Sequence, residues 1–226
     1  IKCLKWSRYY NIDVSWNILL GFPLETNADY QRQMEIIPSL LHLQPPESTS
    51  KLWLERFSPY YKWPERYGIR LTGPGLAYGY VYDERKVDLN KIAYDFEYEI
   101  DWKVDPRLYE DFVRLIREWK ERYHSTNRPF LFFSKALSYL TVYDGRGESP
   151  TSERFDEPFA FVLEFCNDQP KTFEQIRKGL QDTALYSSDQ AIRPLADMLA
   201  VLTGKRLLYE ENGRFFTLAL PVNPHR

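Results

Sequence analysis

Cysteine, histidine and methionine are scarce in this chain of 226 residues, which carries two, three and two of them respectively. Cys3 and Cys166 lie far apart and each sits among apolar residues. Neither a disulfide framework nor a self-contained zinc site is therefore expected, and a reducing, cytoplasmic setting fits. Charge of one sign is lacking too, the net value being -2 at pH 7. Without a basic excess, the attraction that dominates nucleic-acid affinity is missing at whole-chain level, and only a local basic face could supply it. No apolar run approaches the roughly 20 residues that span a bilayer, and no basic-then-apolar leader opens the chain, so no membrane partner is expected. Residue 1 is not methionine and residues 1–10 already pattern as a helix, so a preceding segment is expected.

Aromatic residues are plentiful, at 16%, and 43% hydrophobic content is enough to build a core at this length. Asn11 is suited to end the first helix, and residues 13–20 form an apolar strand. After Gly21-Phe22-Pro23, Thr26 and Asp29 make a capping-box-like start to a helix with Tyr30, Met34, Ile37 and Leu41 on one face. Residues 48–50 are expected to be a polar loop and residues 52–57 a strand. Residues 58–82 are dense in Tyr, Trp, Pro and Gly without a clean period, which predicts an irregular excursion. Residues 88–98 fit a helix or a strand. Asp105-Pro106 starts a helix with Leu108, Phe112, Leu115, Trp119 and Tyr123 as its buried stripe. Residues 130–133 and 136–143 pair as strands before the Asp144-Gly145 turn, and residues 145–153 are expected to be a linker. Beyond it, Asp156 is expected to cap a first helix and Thr172 with Gln175 a second. Residues 192–202 form a third helix, and strands 206–210 and 215–220 close around Asn212-Gly213.

The order helix, strand, turn, helix over the first 41 residues is the unit of a parallel-sheet α/β domain, whose ligands bind at the carboxyl ends of the strands. Strand alternation puts Ser15, Asn17 and Leu19 on one side, and Gly21 permits close backbone approach. Asparagine is disfavoured in strands unless its amide finds a partner, so Asn17 faces either a ligand or a barrel interior. Glu25 either meets that ligand or stabilises the first turn of the helix through its dipole.

Four segments, "VSWNILLGFPLETNADY" from Val14, "PSLLHLQPPESTSKLWLERFSPYY" from Pro38, "YGI" at Tyr67 and "FFTLALPV" from Phe215, together resemble the radical SAM enzymes that mature ribosomally made peptides. The nearest group is the cobalamin-binding kind labelled RiPP maturation radical SAM protein 1. The resemblance covers most of the chain and is strongest from Val14 to Ile69. It implies an α/β fold with the C-terminal end of a partial (β/α) barrel over 1–57, to which the residue patterning adds an aromatic-rich α+β extension over 58–144 and a winged-helix-like domain over 145–226. It also implies S-adenosylmethionine beside Ser15, Asn17, Gly21, Phe22, Pro23 and Glu25, although Leu24 stands where relatives carry glycine. A [4Fe–4S] cluster that splits S-adenosylmethionine into methionine and a 5′-deoxyadenosyl radical needs three close cysteines. This chain has none so arranged, so the cluster loop and any cobalamin domain are expected in a missing N-terminal half of the same enzyme. No catalytic residue and no metal ligand is assigned here, and the chain alone is expected to be inactive.

The substrate so implied is a ribosomal precursor peptide, modified by radical chemistry such as C-methylation. Arg56, at a strand end, is suited to a carboxylate or phosphate of cofactor or peptide, or else to an internal ion pair. Tyr60 and Tyr61, with Trp63, Tyr67, Tyr78, Tyr80 and Tyr82, either line a peptide groove or form core. Asp95, Glu97, Glu99 and Asp101 alternate as a solvated strand edge would. His42 is suited to a loop-bonded role. The alternative function is a winged-helix module recognising a leader peptide or nucleic acid. Asp189 and Asp197, opposed only by Arg193, Lys205 and Arg206, argue against DNA.

Overall fold

The computed structural model describes residues 1–100, 104–183 and 192–222. Asp101, Asp189, the side chain of Arg193 and His225 lie outside the described residues. The chain is mixed α/β with several small sheets, and no barrel closes among the described residues. In order, the first half runs α1 (Lys2–Tyr10), β1 (Asn17–Leu20), α2 (Asn27–Leu40), β2 (Ser48–Lys51), β3 (Leu54–Glu55), α3 (Pro59–Lys62), β4 (Ile69–Pro74), α4 (Leu76–Val81), α5 (Leu89–Ile92), β5 (Asp95–Ile100) and α6 (Pro106–His124). The second half runs β6 (Leu131–Lys135), β7 (Tyr139–Asp144), β8 (Thr151–Asp156), α7 (Phe159–Phe165), β9 (Lys171–Thr172), α8 (Phe173–Asp182), α9 (Ile192–Gly204), β10 (Leu208–Glu211), β11 (Arg214–Thr217) and β12 (Leu220–Pro221). The chain forms two compact units, neither contiguous in sequence: residues 15–34 with 46–115, and residues 1–14 with 35–45 and 116–226.

In the first of these units β1 and β2 pair in parallel, Asn17 opposite Ser48 and Leu20 opposite Lys51. The connection between them is a crossover through α2, which a parallel pair requires. The strand Ser48–Lys51 falls where the polarity of "STSK" predicts a loop, because its conformation is set by pairing with β1 rather than by its own composition. A separate antiparallel sheet has the order β3-β5-β4. It carries a core of Leu54, Ile69, Ala93 and Phe96, packed by the half-buried rings of Tyr60, Tyr61, Tyr67, Tyr78 and Tyr98. The expected irregular excursion over 58–82 is instead ordered as short helices on either side of the strand β4, with its tyrosines covering the sheet. The residues 88–98 turn out to hold both alternatives, a short helix and then β5.

In the other unit β12-β6-β7-β8 form one sheet, with β12 parallel to β6, and β10-β11-β9 form a second. Residues 151–153, expected within a linker, open the edge strand β8, which runs on to Asp156. Asn212 and Gly213 both have positive φ, 51° and 72°, as a two-residue hairpin between β10 and β11 requires. The capping box of Thr172 and Gln175 is complete on α8. At α7 the N-cap position is Pro158 rather than the expected Asp156. Asp156 pairs with Arg154, while the Glu157 carboxylate accepts from the Phe161 N–H at 3.0 Å. Trp119 is fully buried and its indole N–H donates to the Leu43 carbonyl at 3.1 Å.

His42 is buried, and its Nε2 lies 3.0 Å from the Leu218 carbonyl oxygen. A carbonyl only accepts, so the ring proton sits on Nε2. Burial, then the nearby Arg146 guanidinium, lower the imidazole to about 3 from an ordinary value of 6.5. The unfolded chain consequently binds a proton that the folded chain refuses between these two values, and stability falls as pH drops through that window. We expect His42→Gln, whose amide can still donate to Leu218, to flatten the acid limb of a urea-stability profile by up to about 1.4 kcal/mol per pH unit. An unchanged slope between pH 6.5 and 3 would contradict this account.

Candidate functional site

The carboxyl end of β1 is built from its sequence in a few steps. Ser15, Asn17 and Leu19 are all exposed, while Trp16 and Ile18 are half-buried and Leu20 is fully buried, so the expected alternation is present. Gly21 follows in the left-handed region at φ 77°, and Leu24 does the same at φ 71° with its side chain 85% exposed. The second of these positions is where relatives of the resembled family carry glycine, and here a branched side chain bears the strain.

Glu25 turns back on this bend. Its Oε2 accepts from the Gly21 N–H at 2.9 Å and from the Tyr30 hydroxyl at 2.7 Å. Burial and then that carboxylate push the Tyr30 phenol up from its ordinary value. Glu25 is thus engaged with the turn itself, a role distinct from the helix-dipole one. At the start of α2 the Thr26 N–H and hydroxyl both donate to Asp29, at 2.9 and 2.8 Å. Only the reciprocal half of a capping box is made.

Asn17 also has its partner on the sheet, for the Ser48 hydroxyl donates to Asn17 Oδ1 at 2.9 Å. The carboxamide nitrogen takes no part in that bond. Phe22 and Pro23 are half-buried, with the Phe22 ring 6.1 Å from that of Tyr60. The structure therefore brings Ser15, Asn17 and Leu19 together on an open face, beside a turn locked by Glu25 and Tyr30. Tyr30 enters the sequence reading only as one apolar position of a helix stripe. Its hydroxyl, set one turn into α2 and within reach of the carboxylate at Glu25, was the available signal.

Gly21 can be tested for backbone strain alone, because a Cβ added there would meet Lys51 side-chain carbons at an ordinary 3.9 Å. We expect Gly21→Ala to lower stability by about 1–2 kcal/mol, the left-handed penalty of an L-residue, read as a shift in urea midpoint. A neutral substitution would mean that the turn relaxes freely.

Tyr60 adjoins the site through Phe22, while Arg56 and the other tyrosines lie further along the same unit. Arg56 Nε donates to the Ala93 carbonyl at 2.6 Å, Nη2 donates to the Asn90 carbonyl, and the guanidinium lies over Phe96 at 5.0 Å. Its fork is directed at the end of α5, and neither Glu55 nor Glu65 pairs with it. Tyr60 and Tyr61 pack against the β3-β5-β4 core, while Tyr80 stands 90% exposed. Glu97 and Glu99 are exposed, and Glu99 pairs across the sheet with Arg70. Cys3 is exposed and Cys166 buried, the thiol of the latter pushed up to about 12 by burial. No group of three metal-binding side chains occurs among the described residues. No helix among them is long and apolar enough to cross a membrane.

No protein family, curated protein or solved structure matches this chain.

Proposed function

We propose that this chain is the closing part of a radical SAM barrel with its C-terminal extension, acting on a ribosomal peptide together with an N-terminal half that holds the cluster. The observation that carries this reading is the parallel β1-α2-β2 unit, whose Ser15, Asn17 and Leu19 face lies open beside the Gly21 turn. Two parallel strands of four residues are not a self-sufficient sheet, since parallel strands are normally covered on both faces. Leu19 is 52% exposed and Trp53, just beyond β2, 71%. Further barrel strands would cover this surface.

S-adenosylmethionine fits the side chains present in a limited way. Ser15 and the Asn17 carboxamide would hydrogen-bond its nucleoside, Leu19 would pack on the base, and Glu25 with Tyr30 would hold the turn rigid. Bound with a reduced iron–sulfur cluster, it supplies radical chemistry. The cluster itself does not fit here, because Cys3 and Cys166 are two thiols where three are needed. Cluster and cobalamin would both belong to the other half. Calorimetric titration with S-adenosylhomocysteine tests the reading: we expect weak saturable binding that Asn17→Ala reduces about tenfold, the worth of one buried hydrogen bond. Equal binding by the variant would remove Asn17 from the site.

A second reading is favoured by the order α7, β9, α8, α9, β10, β11 with sheet order β10-β11-β9, which supports a winged-helix-like module. On α9 the exposed described residues are Ala196, Asp197, Ala200, Val201 and Gly204, and the edge strand β10 exposes Glu210 and Glu211. That chemistry suits a basic leader peptide paired along the strand better than a phosphate backbone. Titrating a basic peptide and duplex DNA at two salt concentrations separates the two partners. Tight DNA binding that weakens steeply with salt would overturn the peptide assignment.

A further inference from the structure

Among the described residues, His42 Nδ1 is the one buried side-chain nitrogen or oxygen without a hydrogen-bond partner. Such an atom is costly to leave unpaired and calls for a partner. His42 lines a cavity of about 210 Å³ whose other walls include Tyr9, Phe130, Phe132, Leu220 and Val222. The cavity is larger than the roughly 150 Å³ that suffices for benzene in an engineered apolar core. Apart from Arg8 and His42 its walls are aromatic rings and aliphatic side chains, a surface suited to a flat, largely apolar body. Because Nε2 carries the ring proton toward Leu218, Nδ1 is a bare acceptor, and the neutral ring cannot donate from it.

We propose that this cavity is a binding site for a small aromatic molecule bearing a single hydrogen-bond donor, of the size of phenol, with its ring on Phe130 and Phe132 and its hydroxyl donating to His42 Nδ1. The site lies wholly within the unit that contains β6 and β12. Specificity follows from chemistry. A toluene-shaped ligand fills the same volume but leaves Nδ1 unpaired.

The test uses the full chain labelled with nitrogen-15 at histidine, titrated separately with phenol and with toluene. Phenol is expected to bind about tenfold or more tighter than toluene and to move the His42 Nδ1 resonance from the bare-acceptor toward the hydrogen-bonded position. His42→Phe is expected to abolish the preference for phenol. Should that variant fail to fold, Val222→Trp, at a position 45% exposed, is expected to fill the mouth and remove phenol binding while the circular dichroism spectrum is unchanged. Equal affinity for the two probes, no binding of phenol up to its solubility, a stationary Nδ1 resonance at saturation, or full phenol binding by Val222→Trp would each overturn the proposal.

Discussion

Replacing Arg146 by alanine is expected to remove about 3–5 kcal/mol of stability, a large part of what an ordinary domain has. Arg146 is only 7% exposed. Its Nη2 and Nε donate to the two oxygens of Asp144 at 2.6 and 2.9 Å. Its Nη1 donates to the Ser39 carbonyl at 3.0 Å and to the Arg206 carbonyl at 2.8 Å. One guanidinium thus ties the end of α2, the turn after β7 and the entry to β10 into one network. Truncation leaves the half-buried Asp144 carboxylate and both carbonyls without these donors, and it opens a void. The Asp144 carboxyl is held below its ordinary value by the bonds to Arg146, against the opposing effect of its own burial. Lysine cannot reproduce a planar fork, so Arg146→Lys should recover only a minor part of the loss. Urea unfolding measures both variants, and a cost under about 1 kcal/mol for Arg146→Ala would show the network to be incidental.

Lys5→Met is expected to cost about 2–3 kcal/mol. Lys5 is fully buried, and its Nζ reaches the Thr217 carbonyl at 2.6 Å, Asn167 Oδ1 at 2.6 Å and the Asn167 carbonyl at 3.0 Å. The ring of Phe216 lies 4.7 Å from the same nitrogen. Two effects oppose each other. Burial lowers the ammonium from 10.5 to about 7, so removing it relieves a desolvation cost. Removing it also strips the donor from three oxygens, and methionine supplies none. The second effect wins, because the desolvation cost is already partly offset by those oxygens and by the nearby Asp168 charge. With the folded value depressed, the unfolded chain holds the extra proton between pH 7 and 10.5, and native stability rises across that window. The methionine variant should lose this rise. A variant that is more stable than the parent at pH 7 would show that desolvation dominates.

Both residues show where the sequence was opaque. Lysine at position 5 lies between Leu4 and Trp6, and only the carbonyls of Asn167 and Thr217 more than 160 residues away explain its burial. Arg146 falls in a stretch whose composition is that of a linker. The strand Ser48–Lys51 has no apolar signature and exists because β1 offers it a partner. Signals confined to a few neighbouring residues were legible: Phe112, Trp119 and Tyr123 of the α6 stripe, the Thr172 and Gln175 box, the Asn212-Gly213 hairpin and the alternation of Ser15, Asn17 and Leu19. At the candidate site the glycine bend could be foreseen. The inward grip of Glu25 on Gly21 and Tyr30 could not, because the side-chain closure depends on how α2 returns toward the strand.

The central claim is that the open face of β1 is one wall of a nucleoside pocket. Backbone amide resonances of the chain followed during addition of S-adenosylhomocysteine test it most directly. Saturable shifts centred on Ser15, Asn17, Leu19 and Gly21 are predicted, whereas shifts confined to other surfaces, or none at millimolar ligand, would contradict it.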